Sequence, residues 1–347
     1  MKATQIAQQL FKSLQLQLHS RSVISVHGRD SAKFLNGLCT QTIPTPQDGG
    51  RYAAILSPPG RMLYDTFIYP TSADCFYLDV DSRVSAGVVA LCNKYKLRSK
   101  VKVEGVEGVG VYWKDEGGVG EQEQEQEQEH HQIASIASMI DPRAPGMGRR
   151  ILAESRDARD ARDARDEHSA HSTHPEYSRR RYSLGVPEGI DDLWPEKSLP
   201  LESNIDYMNG VNFRKGCYVG QELTIRTQHT GVVRKRILPI TLQRRQNEGD
   251  TPTPPPMTNI YAQLPSLKTP KQVGKLCGTL PNPDGSISGI ALLRLEMLVR
   301  APDGLFIRGD SGNDPHWHVQ ARIPEWWPND PKLDGVLREA EMGDQTQ

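Results

Sequence analysis

The chain has 347 residues and a formal net charge of -1, a length that accommodates two or three domains of ordinary size. No apolar run approaches the roughly 18 residues that a membrane helix requires, and the near-zero charge provides no global field for nucleic acid or for insertion at an anionic membrane. Five cysteines, Cys39, Cys75, Cys92, Cys217 and Cys277, are odd in number, widely spaced and never in a CxxC pair, which argues against a disulfide framework or a self-contained zinc site and for a reducing compartment.

From Met1 to Arg29 there is no acidic residue, while Lys2, Lys12, Arg21 and Arg29 are basic and Ser and Gln are frequent. That is the composition of a mitochondrial presequence; Ile6, Leu10, Phe11 and Leu14 equally suit the apolar face of a short helix. Ser22 to Val26 alternates as a half-buried strand does, and Asp30 or Ser31 is placed to cap a helix whose Phe34, Leu35 and Leu38 share a face. Tyr52 to Leu56, the turn Ser57-Pro58-Pro59-Gly60 and Met62 to Tyr69 read as a hairpin. Asp65 lies in its second arm, where a carboxylate either faces water or has a specific role. Cys75 to Val80 predicts a strand, Ser82 to Tyr95 a helix with Val84, Val88, Leu91 and Cys92 on one face, and Val101 to Trp113 a glycine-punctuated pair of strands. Helices and strands mix without strict alternation, which favours an α+β class. No Rossmann or Walker pattern is present, so nucleotide use has no support.

Two polar inserts follow. Glu121 to Glu129 alternates Glu and Gln, and Arg156 to Asp166 repeats Arg-Asp-Ala; neither has apolar residues to bury, so both read as solvated. His168, His171 and His174, three apart and near His130 and His131 in sequence, belong to a Ser/Thr/Arg-rich loop and read as part of that insert, since a zinc site needs rigid ligands. The fold resumes at Tyr182 to Ile190 with a turn and a short helix.

The stretch Lys215-Gly216-Cys217-Tyr218-Val219-Gly220-Gln221-Glu222 then sets one thiol in a tight loop between two glycines, with Arg214 and Lys215 just before it. The glycines permit unusual backbone angles and close approach of a ligand, and neighbouring cations favour a thiolate, which can attack, bind metal or be oxidised. The bland alternative is a small apolar plug in a turn. Leu223 to Gln228 and Val232 to Ile240 read as a hairpin around His229-Thr230-Gly231. From Arg214 to Arg245 eight Lys or Arg stand against a single acid, Glu222, a local basic patch. Thr251 to Pro256 is a proline-rich linker. Short strands at Gly274 to Leu280, Gly289 to Leu295, Leu305 to Arg308 and Trp317 to Ile323 suggest a small C-terminal β-barrel or sandwich.

That octet, its lead-in Leu199 to Phe213 and its continuation Thr227 to Arg236 resemble the signature of the YgfZ/GcvT-like family, and more narrowly its mitochondrial iron-sulfur cluster assembly branch. Val26 to Leu38, Gly60 to Asp65 and Gly289 to Arg294 extend the resemblance, which covers about residues 20 to 115 and 180 to 300. It implies an α+β fold of the aminomethyltransferase type, a three-domain ring of two interleaved α+β domains plus a C-terminal β-barrel. The implied boundaries are 20–50 with 180–235, which carries the Cys217 motif, then 51–155 with a polar insert at 116–132. A low-complexity insert at 156–179, a barrel at 236–325 and a tail at 326–347 complete the chain.

In the assembly branch such a protein helps to mature [4Fe-4S] clusters with A-type iron-sulfur scaffold proteins in the mitochondrial matrix. The resemblance then implies Cys217 as a ligand of a shared, transient cluster, with Arg214, Lys215, Gly216, Gly220, Gln221 and Glu222 around it. One thiolate cannot hold a cluster that needs about four ligands. In the transferase relatives the central hole binds tetrahydrofolate, and the match places Asp65 near the folate's reactive nitrogens and Glu202 on its pterin ring; carboxylates suit both tasks. The departures weigh against catalysis. No Arg-Asp-x-Leu-Arg precedes Glu202, Tyr64 stands where transferases carry a second acid, and the Lys-Gly-Cys segment belongs to the assembly branch. Folate-dependent one-carbon transfer is the first alternative, and a folate-binding structural module without thiol chemistry is the second.

Overall fold

The computed structural model describes residues 15–116, 135–155, 174–244, 252–264, 268–308 and 315–344. Both polar tracts, and His130, His131, His168 and His171, lie outside them. The described residues divide into two compact units, the first drawn from 1–56, 64–177 and 209–219 and the second from 57–63, 178–208 and 220–347.

The first unit contains β1 (Gln15–Gln17), β2 (Arg21–His27), α1 (Ser31–Leu38), β3 (Arg51–Leu56), most of β4 (Met62–Ser72) and β5 (Cys75–Asp81). A 3-10 turn (Ser82–Val84) leads into α2 (Ser85–Tyr95), followed by β6 (Lys102–Gly105), β7 (Val109–Lys114), β8 (Ser135–Ile140) and β9 (Arg149–Glu154). One sheet has the order β3-β4-β5-β2-β6 and a second β1-β7-β9-β8. Alternation in β2 and β5 puts Ile24, Val26, Leu78 and Val80 into a core shared with Leu35 and Leu38 of α1 and Val88 and Cys92 of α2. Val101 to Trp113 does hold two strands, but they do not pair with each other. Val103 of β6 sits opposite Val26 in the five-stranded sheet, while Trp113 of β7 sits opposite Arg150 in the four-stranded one. Asp30 stands at the N-terminus of α1 without capping it; its carboxylate instead accepts the Lys100 N–H at 2.6 Å.

A network of buried charge lies between the two sheets. Asp79 of β5 accepts from Arg21 Nε at 2.6 Å and from Arg150 Nη2 of β9 at 2.6 Å. Arg21 also reaches Asp65 of β4 at 3.1 Å, and Arg143 pairs with Asp141 at 2.6 Å. The Tyr177 hydroxyl accepts from both Arg143 and Arg150, and the Arg150 guanidinium stacks 3.9 Å from the Phe67 ring centroid. Three arginines thus meet three aspartates, which is how charges survive burial.

In the second unit, α3 (Pro175–Leu184), whose first turn belongs to the first unit, is followed by α4 (Gly189–Asp192) and α5 (Gln221–Thr230). Next come β10 (Lys235–Arg244), β11 (Asn259–Ala262), β12 (Lys271–Pro281), β13 (Ile287–Arg294), α6 (Met297–Arg300), β14 (Leu305–Arg308), β15 (Pro315–Ala321) and α7 (Pro331–Asp344). The strands close into a barrel in the order β10-β13-β12-β11-β14-β15. Leu238, Leu242, Ala291 and Val319 fill it, and α7 adds Leu333 and Val336 to the same core.

The helix α5 corrects the expected strand at Leu223 to Gln228. Gly220, at φ 77, turns the chain in a conformation that favours glycine. The Thr227 and Thr230 hydroxyls then bond back to the carbonyls of Leu223 and Arg226, the i−4 pattern of helical threonines. The strand expectation rested on the alternation of Leu223 and Ile225, while the threonines Thr224, Thr227 and Thr230 recur at a helical spacing.

Candidate functional site

An α-helix leaves its last four carbonyls without intrahelical partners. In α1 two of them, Asn36 O and Gly37 O, are satisfied by the Cys217 loop. Lys215 Nζ donates to Asn36 O at 2.7 Å, and also to Cys39 O at 2.7 Å and Gln41 O at 3.0 Å. The Val219 N–H donates to Gly37 O at 3.1 Å. Upstream, the Asn212 N–H meets Thr40 O at 3.0 Å, and the Arg214 N–H meets the Asn212 side-chain oxygen at 2.8 Å. The Tyr218 ring is buried and lies 5.1 Å from the Lys215 ammonium. The loop is therefore pinned on both sides of Cys217, and the pins place a cation at a helix C-terminus, where the dipole favours it.

Between the pins, Gly216 and Cys217 are exposed. A Cβ on Gly216 would meet nothing within 4 Å, so the main chain beside the thiol is open to an approaching group. The backbone freedom expected of the flanking glycines is used at Gly220, not at Gly216. Lys215, expected from sequence to act on the thiol, has its ammonium directed at one carbonyl of α1, Asn36 O, and two just beyond it, Cys39 O and Gln41 O, and burial pulls its pKa down to about 8. It is a loop anchor. Arg214 is exposed, Gln221 is half-buried, and Glu222 is an exposed acid in the first turn of α5.

The other thiols differ in kind. Cys39, Cys92 and Cys277 are buried and Cys75 is half-buried. Burial pushes Cys39 and Cys92 up to about 12 and raises Cys277 well above its ordinary value, so these are inert packing residues at neutral pH. Among the described residues no three His, Cys, Asp or Glu side chains gather as a metal site.

The two folate-pocket candidates have different fates. Asp65 is 3% exposed and engaged by Arg21 in the charge network, so it meets a ligand only by breaking that pair. Glu202 does line a cavity, one of about 470 Å³ in the second unit, beside Arg61, Lys197, Lys235, Lys275 and Arg294. Burial raises the Glu202 carboxyl against the pull of Lys235, Arg61 and Arg294. Glu202 thus fits an acceptor for ring N–H donors, and the cations fit carboxylates of an anionic ligand, whereas Asp65 does not fit the role expected of it. Sequence reasoning missed these cations because they come from separate segments, Lys235, Lys275 and Arg294 on barrel strands and Arg61 and Lys197 on connections outside the barrel.

The comparisons with known proteins agree with this architecture. Residues 234–329 match the family model described as CAF17, C-terminal beta-barrel domain. The glycine cleavage system aminomethyltransferase T of Bartonella henselae superposes with a TM-score of 0.59 at 13% identity, covering 91% of this chain and 88% of that one, and so shows the aminomethyltransferase-type α+β fold. An Aspergillus oryzae protein named iron-sulfur cluster assembly factor IBA57 homolog, mitochondrial, is 37% identical over 324 residues, 81% of this chain and 70% of its own length. The mouse protein named iron-sulfur cluster assembly factor IBA57, mitochondrial, is 34% identical over 326 residues, 90% of this chain and 85% of its own length. At 34–37% identity over more than four fifths of this chain and at least 70% of each relative, the chain belongs to the IBA57 family of mitochondrial iron-sulfur cluster assembly factors.

Proposed function

We propose that this chain acts in the mitochondrial matrix as an assembly factor for [4Fe-4S] proteins, and that Cys217 supplies one ligand to a cluster it shares briefly with an A-type scaffold protein. Family membership supports the assembly role, and one observation carries the residue assignment: Cys217 is the exposed thiol of a loop pinned on both sides to the end of α1. The cluster is cargo. A thiolate offers one of about four ligands, so the remainder come from the partner or a small thiol, and the site is bridging by arithmetic. Pinning the loop before the partner arrives removes part of the ordering cost of association.

A second reading, binding of tetrahydrofolate, is favoured by the Glu202 cavity alone. Complementation separates the two. In cells lacking their own factor of this family, Cys217→Ala is expected to leave mitochondrial [4Fe-4S] enzymes inactive, and Glu202→Gln to restore them. The opposite order would establish the folate site as the functional one. Asp65→Asn is unsuitable for that comparison, because it disturbs the Arg21 ion pair and so confuses folding with function.

A further inference from the structure

Beside the Cys217 loop the first unit carries a groove of about 790 Å³ between α1 and the connection from α2 to β6. Phe34, Leu38, Tyr95, Leu97 and Val219 form its apolar walls, and Lys33 and Arg98 stand at its rim. Leu97 is 86% exposed and held at φ 44, a left-handed conformation that disfavours leucine and suits asparagine or glycine better. Neither burial nor backbone preference accounts for a leucine there. The charged lining is two cations, Lys33 and Arg98, to one acid, Asp30, and the neighbouring segment adds Lys94, Lys96 and Lys100 with no acid among them. Asp30, the acid in the groove, has its carboxylate on the Lys100 N–H. The groove also runs into the thiol loop, since Val219 is one of its walls and is tied to Gly37, another lining residue.

We propose that this groove is where the cluster-carrying partner docks, through a protein segment that presents a large apolar side chain flanked by carboxylates. The inference rests on the assignment of Cys217 above and adds the surface that places the partner's cluster next to it. The apolar side chain would pack between Leu97, Phe34 and Tyr95, and the carboxylates would meet Lys33 and Arg98. A concave site of this size suits one or two side chains of a folded partner, whereas a flat anionic bilayer would touch Leu97 and leave the groove unfilled. Affinity then lies with the groove and ligation with the thiol.

The test uses the full chain and a recombinant A-type scaffold protein, with and without its cluster. Leu97→Asn, which suits the left-handed backbone, should melt no lower than wild type. It should nevertheless weaken binding of the cluster-free scaffold about tenfold, the loss of one central apolar anchor. Lys33→Glu with Arg98→Glu should weaken it at least as much, and wild-type binding should fall as salt is raised. Cys217→Ser should bind the cluster-free scaffold like wild type and lose the absorption of the shared cluster. If both groove variants bind like wild type, the docking proposal falls while the cysteine assignment stands. If they bind weakly but Cys217→Ser keeps the spectrum, the groove stands and the cysteine assignment falls. Wild-type scaffold binding by both groove variants, with lost co-sedimentation on phosphatidylglycerol-containing vesicles, would reassign the groove to lipid.

Discussion

Asp79→Asn should unfold or severely destabilise the first unit, with a loss of about 3–5 kcal/mol, the usual result of removing one partner from a buried ion pair. Asp79 is fully buried and is held by two guanidiniums, Arg21 on its own sheet and Arg150 from the other. The amide cannot balance either charge. Against a total stability of about 5–15 kcal/mol for a natural domain, the variant should show a large fall in urea midpoint and lost near-ultraviolet dichroism. Asp65→Asn should cost less, because Arg21 then still faces Asp79. Equal midpoints for wild type and Asp79→Asn would mean that the charges between the sheets are hydrated and not locked.

Lys215→Met should be the most damaging substitution in the thiol loop outside the thiol itself. It removes the donor from the carbonyls of Asn36, in the last turn of α1, and of Cys39 and Gln41 just beyond it. Bonds to a charged group contribute about 1.5–3 kcal/mol each, and the cost of burying the ammonium, seen in its lowered pKa, offsets part of that sum, so a net loss of about 2–3 kcal/mol is expected near neutral pH. Arg should not rescue it, because a planar guanidinium fork cannot aim three donors at one cluster of carbonyls as an ammonium does. Alkylation of Cys39, buried beneath the loop, should accelerate in the variant.

The pH dependence provides a separate check on Lys215. Burial lowers its pKa from 10.5 to about 8, so between those values the unfolded chain binds more protons than the folded one and stability contributed through this group rises with pH. Below about pH 8 the cost of burying the charge is fully present. The wild type should therefore gain stability relative to Lys215→Met as pH rises through that window. A constant difference would show that the ammonium is solvated.

Where function and neighbouring residues coincide along the chain, the sequence was readable. Cys217, with charge before it and glycine on either side, reads as a presented thiol, and the structure exposes it. The barrel strands from Lys271 onward are signalled by turn residues at regular spacing, and the alternation of Ser22 to Val26 identifies β2. Long-range relations were not readable. Lys215 looks like a cation beside a thiol because its true partner, the Cys39 carbonyl, lies 176 residues away. The resemblance made Asp65 a candidate ligand, and nothing nearby in sequence announces its ion pair with Arg21, 44 residues earlier. The period-2 pattern at Leu223 to Thr227 rests on two apolar residues over five positions, too short a run to tell strand from helix, and the face that the helix buries is marked by Thr224 instead. Residues 326–347 read as a tail because Leu333 and Val336 carry no sign, within so polar a segment, that they join the barrel core.

On the function proposed above, Cys217 binds a cluster held jointly with a second protein. This assignment is tested most directly by mixing the anaerobic protein with a cluster-loaded A-type scaffold and recording visible absorption and circular dichroism of the isolated complex. The wild type should form a stoichiometric complex with a spectrum distinct from that of the scaffold, and Cys217→Ser should lose that spectrum. Arg214→Ala should retain most of it, because the sulfur makes the bond and a cation only tunes it. A Cys217→Ser protein that forms the same complex with an unchanged spectrum would contradict the assignment.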